Sequence, residues 1–220
     1  QKVVHLLPGG TFWIGAERSI AATGIIIIAR AFFQSLNCDG IMRIISGVHG
    51  GRRIAPPAEM PHTRPTTDIA KEGLFNIIQN NLSIPELTTL DLFGGTGCIS
   101  YELASRGAKE LTIVEKDPKM FAFIQQTSKQ LSFENFNAVK TDVFRFVETC
   151  RQQFDFIFAG PPYALTTIDL LPKLVFEKKL LKAKGWFVLE HTPRNDYKKF
   201  PHYRTERNYG TTIFSIFIQD

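Results

Sequence analysis

Asp91, followed within six positions by Gly94, Gly95 and Gly97, is the first place in the chain where residue types and spacing suggest chemistry. Glycines set this close let the backbone turn sharply and let a ligand approach the main chain. An acidic side chain just ahead of such a turn is a poor neighbour for a pyrophosphate and a good one for a cationic ligand. Glu115 stands twenty positions beyond Gly95, a spacing at which a carboxylate can accept hydrogen bonds from both hydroxyls of a ribose. Asp142 offers another acceptor, suited to the amino group of adenine or, more simply, to capping a helix that starts at Val143. Gly160-Pro161-Pro162-Tyr163 adds a free carbonyl and an aromatic face on which a base can stack.

These groups act together only if the fold brings them to one place. The run Thr89-Leu-Asp-Leu-Phe93 reads as a buried strand, and Cys98 to Arg106 as the helix after the glycine turn. Upstream, the helical spacing of Ile69, Ala70, Gly73, Leu74, Ile77 and Ile78 predicts a helix with that face in the core, capped near Thr66-Thr67-Asp68. Downstream, Glu110–Glu115 is a strand, and Asp117-Pro118 opens a helix to about Leu131. A weak strand covers Ala138–Thr141, a helix Val143–Cys150, and an almost wholly apolar strand Phe154–Ala159. A helix over Ile168–Phe176, a strand over Gly185–His191 and a hairpin, Tyr203–Arg207 with Thr211–Gln219, complete the pattern. Alternation of this kind predicts a doubly wound, mostly parallel seven-stranded α/β sheet with a C-terminal antiparallel hairpin. In such a sheet Asp91, Glu115, Asp142 and Gly160 all end strands at the same rim.

The 220 residues, 44% hydrophobic, suffice for one core and an appendage. A formal charge of +5 leans towards polyanionic partners. Cys38, Cys98 and Cys150 lack metal-ligand spacing, which implies no metal site, no disulfide framework and a cytoplasmic setting. The apolar run Ser19–Phe33, interrupted by Arg30, falls short of the roughly 20 residues that span a bilayer, so no membrane association is expected. Residues 1–41 differ in texture from the rest and read as an extension of unknown role, with Met42 resembling a natural start. Residues 42–66 read as a basic β-ribbon and proline-rich connector, in which Arg43, His49, Arg52 and Arg53 are candidates to contact phosphate. Residues 67–220 form the ligand-binding domain.

Two nucleotides compete for the glycine turn. The dinucleotide fingerprint G-x-G-x-x-G is broken, since Gly95-Thr-Gly97-Cys-Ile-Ser100 lacks the third glycine. S-adenosylmethionine suits the acidic turn better, having an ammonium, a sulfonium and a ribose but no phosphate. An oxidoreductase using a nicotinamide cofactor is therefore the disfavoured reading.

The residues from Met42 to Asp220 resemble the RsmD-type 16S ribosomal RNA guanine-N2 methyltransferases of the class I, Rossmann-like fold. The resemblance rests on MRIISG, TRPTTDIAKEGLFN, DLFGGTG, VEKD, the Thr-Asp at Asp142, the P-P-Y ending at Tyr163, and YGTT. It implies S-adenosylmethionine as cofactor, held by Arg64, Thr66, Asp91, Phe93, Gly94, Gly95, Gly97, Glu115, Lys116, Asp142 and Val143. It implies ribosomal RNA, within a small-subunit particle, as substrate, and a monomeric enzyme. Gly160, Pro161, Pro162 and Tyr163 would occupy the catalytic motif, which in the family is D-P-P-Y, or N-P-P-Y in relatives acting on other amines. Gly160 removes the acidic side chain that helps hold the target amine, leaving the Pro161 carbonyl and the Tyr163 ring. Alignment supplies much of such an acceleration, so this departure predicts either a domain that binds without catalysing or a substitute acceptor nearby. DNA adenine N6 and a protein amide are the alternative amines.

Overall fold

The computed structural model describes residues 41–57 and 66–220. The apolar run at 19–33, the rest of the extension up to residue 40, and Arg64 lie outside the described residues. Two short strands, β1 (Met42–Arg43) and β2 (Arg53–Ile54), pair antiparallel with Met42 opposite Ile54. Helix α1 (Asp68–Asn81) follows, with the Thr67 side chain accepting from the Ala70 N–H as its cap. Ala70, Lys71, Leu74, Phe75 and Ile78 form its buried face. Ile69 does not join them: it is 76% exposed, because it sits one residue, about 100° of helix, off the row through Ala70, Leu74 and Ile78.

The main chain then alternates through β3 (Thr88–Asp91), α2 (Cys98–Ser105), β4 (Glu110–Glu115), α3 (Pro118–Gln130), β5 (Phe136–Lys140) and α4 (Val143–Thr149). It continues with β6 (Phe154–Ala159), α5 (Leu170–Glu177), β7 (Leu181–His191), β8 (Tyr203–Tyr209) and β9 (Thr212–Ile218). The seven-stranded sheet runs in the order β5-β4-β3-β6-β7-β9-β8, parallel from β5 to β7, with β9 antiparallel to both its neighbours. The strand order reverses between β3 and β6, where Asp91 pairs with Ile113 on one side and Phe158 on the other. That reversal is where an open α/β sheet has its crevice.

Successive residues of β6 point to opposite faces, as the two-residue repeat of a strand requires. Phe156 and Phe158 pack with α1 and α2 residues such as Leu74, Phe75 and Leu103, whereas Ile157 and Ala159 pack with Val147, Leu171 and Val175 of α4 and α5. Both faces are therefore dry, which accounts for the continuous apolar run. β7 starts earlier than its hydrophobic run. Leu181 already pairs with Phe154, and the register shifts before Phe156 pairs with Trp186. The irregular stretch contains Lys184 at φ 61 and Lys182, whose ammonium bonds Asp155 at 2.7 Å, so its polar side chains disguise a strand. Among the described residues no helix is long and apolar enough to cross a membrane.

Candidate active site

The glycine turn is held from three directions. Gly94 N–H donates to the Val114 carbonyl at 2.8 Å, and Gly97 N–H to Gly94 O at 2.7 Å. Gly97 caps α2 at φ +80, a left-handed conformation, and a Cβ there would lie 2.6 Å from the Tyr101 ring. Glu115 completes the hold: one carboxylate oxygen accepts from Gly95 N–H and the other from Asp117 N–H, each at 2.7 Å. It is a half-buried clamp joining the ends of β3 and β4, with lone pairs left over that still face a cavity.

Asp91 is 2% exposed. Its Oδ2 accepts from Ser100 Oγ at 2.8 Å, while Oδ1 is buried with no partner among the described residues. Ser100 stands where the dinucleotide fingerprint has its third glycine, so the residue that breaks one motif anchors the acid of another. Burial pushes the Asp91 carboxyl up to about 7, against the Ser100 and Phe93 hydrogen bonds and with the charges of Glu115 and Glu190 adding to the rise.

Two cavities meet at this rim. The larger, of 570 Å³, is lined by Glu115, Lys116, Asp142 and Val143, together with Val114 and Leu165. The smaller, of 70 Å³, is lined by Thr66, Asp91, Cys98, Pro161, Tyr163 and Glu190. Phe93, Gly95, Gly160 and Pro162 border both. The first has the size of a small-molecule pocket, and the second is a polar recess opening beside it. Asp142 lines the larger cavity while also capping α4, accepting from Phe144 N–H at 2.9 Å and Arg145 N–H at 3.4 Å. Lys116 is exposed at the mouth, and Tyr163 is 44% exposed at the edge of the recess.

The basic ribbon lies apart from both cavities. Arg52 and Arg53 are exposed, and Arg43, also exposed, reaches Asp68 at 3.5 Å. His49 is different: its Nε2 bonds the Leu131 carbonyl at 2.8 Å and its ring meets Phe133 edge-on, 5.2 Å between centroids. That imidazole is committed to packing, a role its place among arginines and glycines does not reveal. The ribbon itself is bolted down. Val48 N–H donates to Ser105 O at 2.8 Å, and a Cβ on Gly47 would fall 1.9 Å from that same oxygen. Glu102, fully buried, accepts from the N–H groups of Ile45 (2.7 Å) and Ser46 (3.0 Å), and from Arg106 Nη2 at 2.7 Å. Lys71, 2% exposed, approaches the same carboxylate at 3.8 Å and donates to the Arg43 carbonyl.

Sequence reasoning missed Glu190. It is the penultimate residue of β7, is 5% exposed, and accepts from Thr66 Oγ1 at 2.7 Å through Oε2. The available signal was a charge closing an otherwise apolar run, Phe187-Val188-Leu189-Glu190. Burial raises its carboxyl above the usual carboxylate range, opposed by Thr66 and by the Tyr163 hydroxyl, which favours the charged form.

Residues 42–218 match the family model described as Conserved hypothetical protein 95. The small-subunit ribosomal RNA methyltransferase D of Buchnera aphidicola is 30% identical over 149 residues, 68% of this chain and 75% of that protein. The solved Escherichia coli protein yhhF superposes with a TM-score of 0.71 at 23% identity, covering 82% of this chain and 99% of the other. The Thermus thermophilus methyltransferase RsmC, solved with AdoMet and guanosine, superposes at 0.63 with 20% identity over 82% of this chain and 50% of its own. At those identities the two structures bear on the fold alone. The family match and the Buchnera relative bear on descent: the chain belongs to the Conserved hypothetical protein 95 family, that of the RsmD-type methyltransferases.

Proposed function

We propose that this protein methylates the N2 amine of a guanine in small-subunit ribosomal RNA, taking the methyl group from S-adenosylmethionine. The observation that carries the reading is the pair of cavities sharing one wall at the strand reversal, the larger suited to a nucleoside and the smaller to the donor's amino acid end beside a reacting amine. The donor fits the residues present. Asp91 Oδ1, buried and without a partner among the described residues, can accept a hydrogen bond from a cationic donor, and the ammonium of a methionine moiety is one. Glu115 offers its remaining lone pairs to ribose hydroxyls, and Asp142, lining the same cavity, is an acceptor suited to an adenine amine. Family membership points the same way, since the Buchnera relative is named for ribosomal RNA methylation.

The donor supplies an electrophilic methyl on a sulfonium. The protein supplies placement. Guanine N2 shares its lone pair with the ring and needs no strong base beforehand, so the work lies in holding it in line and excluding water. The Pro161 carbonyl accepts one N–H, and the Tyr163 ring stacks on the base. The base must leave its stack to enter so narrow a recess. Arg52 and Arg53, at the exposed edge of a fixed ribbon, hold the RNA backbone.

The test is transfer of a tritiated methyl to unmodified small-subunit RNA and small-subunit particles, beside DNA and protein pools, with the modified position mapped by primer extension. One guanine in the RNA or the particle is the expected site. Label appearing in DNA adenine or a protein amide refutes the assignment.

A further inference from the structure

We infer that Glu190 is the acceptor that takes over from the acidic side chain missing at Gly160: its carboxylate receives the second N–H of the target amine and then the proton that the amine sheds. This rests on the methyl transfer proposed above and adds a catalytic residue to it. A Cβ built on Gly160 would lie 3.6 Å from Glu190 Oε2. The carboxylate near the end of β7 therefore lies within van der Waals contact of where a side chain at 160 would begin. It lines the same recess as Pro161 and Tyr163. Thr66 fixes its orientation through a 2.7 Å hydrogen bond to Oε2, and the Tyr163 hydroxyl bonds the same carboxylate, whose remaining lone pairs face the recess. Gly160 has no need to be glycine on conformational grounds, because its φ is not among the positive ones.

The chemistry balances without a further reactant. As the amine nitrogen bonds to the methyl carbon, the carbon–sulfur electron pair returns to sulfur, giving a neutral thioether. Nitrogen then carries one proton too many, and the carboxylate takes it and passes it to solvent. A carboxylate held in a desolvated recess suits this role, because burial makes it a stronger proton acceptor than one in water. The ionisable groups facing it are Asp91 from β3, Cys98 from α2 and Tyr163 from the loop after β6.

The experiment compares single-turnover methyl transfer, at saturating S-adenosylmethionine, for wild type, Glu190→Gln, Gly160→Asp and the double variant. Donor affinity is measured for each by calorimetry. Glu190→Gln is expected to bind the donor within about threefold of wild type and to lose about 100-fold in rate, in line with general acid–base contributions. The double variant, with an aspartate at position 160 and no competing charge at 190, should recover at least tenfold of that loss, which a merely structural glutamate would not allow. Gly160→Asp alone should slow the reaction, because its carboxylate faces Glu190 and its Cβ presses on Phe158 at 3.0 Å. A Glu190→Gln rate within threefold of wild type overturns the inference, as does a loss of donor affinity that accounts for the fall in rate. A tenfold gain in Gly160→Asp also overturns it, and that variant decides the matter if Glu190→Gln does not fold. Wild type that binds donor but methylates no RNA refutes the proposed function instead.

Discussion

Replacing Asp91 with asparagine keeps the shape of the side chain and removes its titration. The carboxyl moves from 3.8 to about 7 on folding, which at 1.36 kcal/mol per tenfold in proton affinity is roughly 4 kcal/mol of preference for the protonated form. A raised acid stabilises the fold fully below its unfolded value. Here that contribution is present below about pH 4 and is lost as pH rises through about 7. Above pH 7 the unliganded protein therefore carries an ionised, buried carboxylate with one oxygen unpartnered among the described residues. Asp91→Asn should match wild type in urea unfolding near pH 4 and exceed it by about 2–4 kcal/mol at pH 8. Donor binding should reverse the ranking. With its ammonium beside Oδ1 the carboxylate is the favoured form, so wild type at pH 6 should release close to one proton on binding. Calorimetry in two buffers of different ionisation enthalpy reads that release directly. The Asp91→Asn variant should release none and bind the donor about 100-fold more weakly at pH 8, the loss of one buried charge pair. A stability difference that stays flat from pH 4 to 8, or donor affinity unchanged in the variant, would refute the assignment of Asp91 to the donor's ammonium.

Three further outcomes are expected. Glu102→Ala leaves Lys71 and Arg106 without their buried partner and two ribbon N–H groups without an acceptor, so urea unfolding should show a loss of about 3–5 kcal/mol. Arg52→Ala and Arg53→Ala should each lower the slope of log affinity for small-subunit RNA against log salt by about 1 while donor affinity holds, as filter binding at several salt concentrations would show. Gly97→Ala forces a left-handed residue to carry a Cβ 2.6 Å from the Tyr101 ring, and should cost about 2 kcal/mol or more in thermal unfolding together with donor affinity.

Most of the sheet was legible because its strands are short, apolar and punctuated by turn residues. The central strand Phe154–Ala159 and the caps at Thr67 and Asp117 stand where local pattern puts them, since nothing tertiary competes there. The start of β7 was not legible, because its bulge displays Lys182 and Lys184 rather than an alternating face. At the site, spacing located the glycine turn and the four strand ends that frame the cavities. It did not reveal that Glu115 clamps Gly95, nor that Ser100 holds Asp91, since both bonds join segments whose register a sequence leaves open. The packing of His49 was hidden for a related reason: its partner, Leu131, lies 82 positions away. Glu190 was overlooked because a single acid in a strand announces nothing until the neighbour facing it proves to be Gly160.

One short helix ties these parts together. α2 is capped by Gly97, the last residue of the glycine turn, and ends at Ser105, whose carbonyl receives the ribbon. Along it, Ser100 turns towards Asp91 and Glu102 towards the backbone of Ile45 and Ser46. Eight residues at 1.5 Å each make the helix about 12 Å long, so a single short spacer joins the ribbon to the recess beside Asp91. With Arg52 and Arg53 on phosphate as proposed, the fold would fix the distance from that phosphate to the reacting base. That rigidity follows from the Gly47 contact with Ser105, where any side chain would push the ribbon away. Gly47→Ala should accordingly leave donor affinity intact and weaken RNA methylation through KM, because it moves the phosphate-holding edge without touching Asp91, Glu115 or Glu190. An equal loss of donor affinity in that variant would mean that the ribbon and the donor turn are not separable along α2.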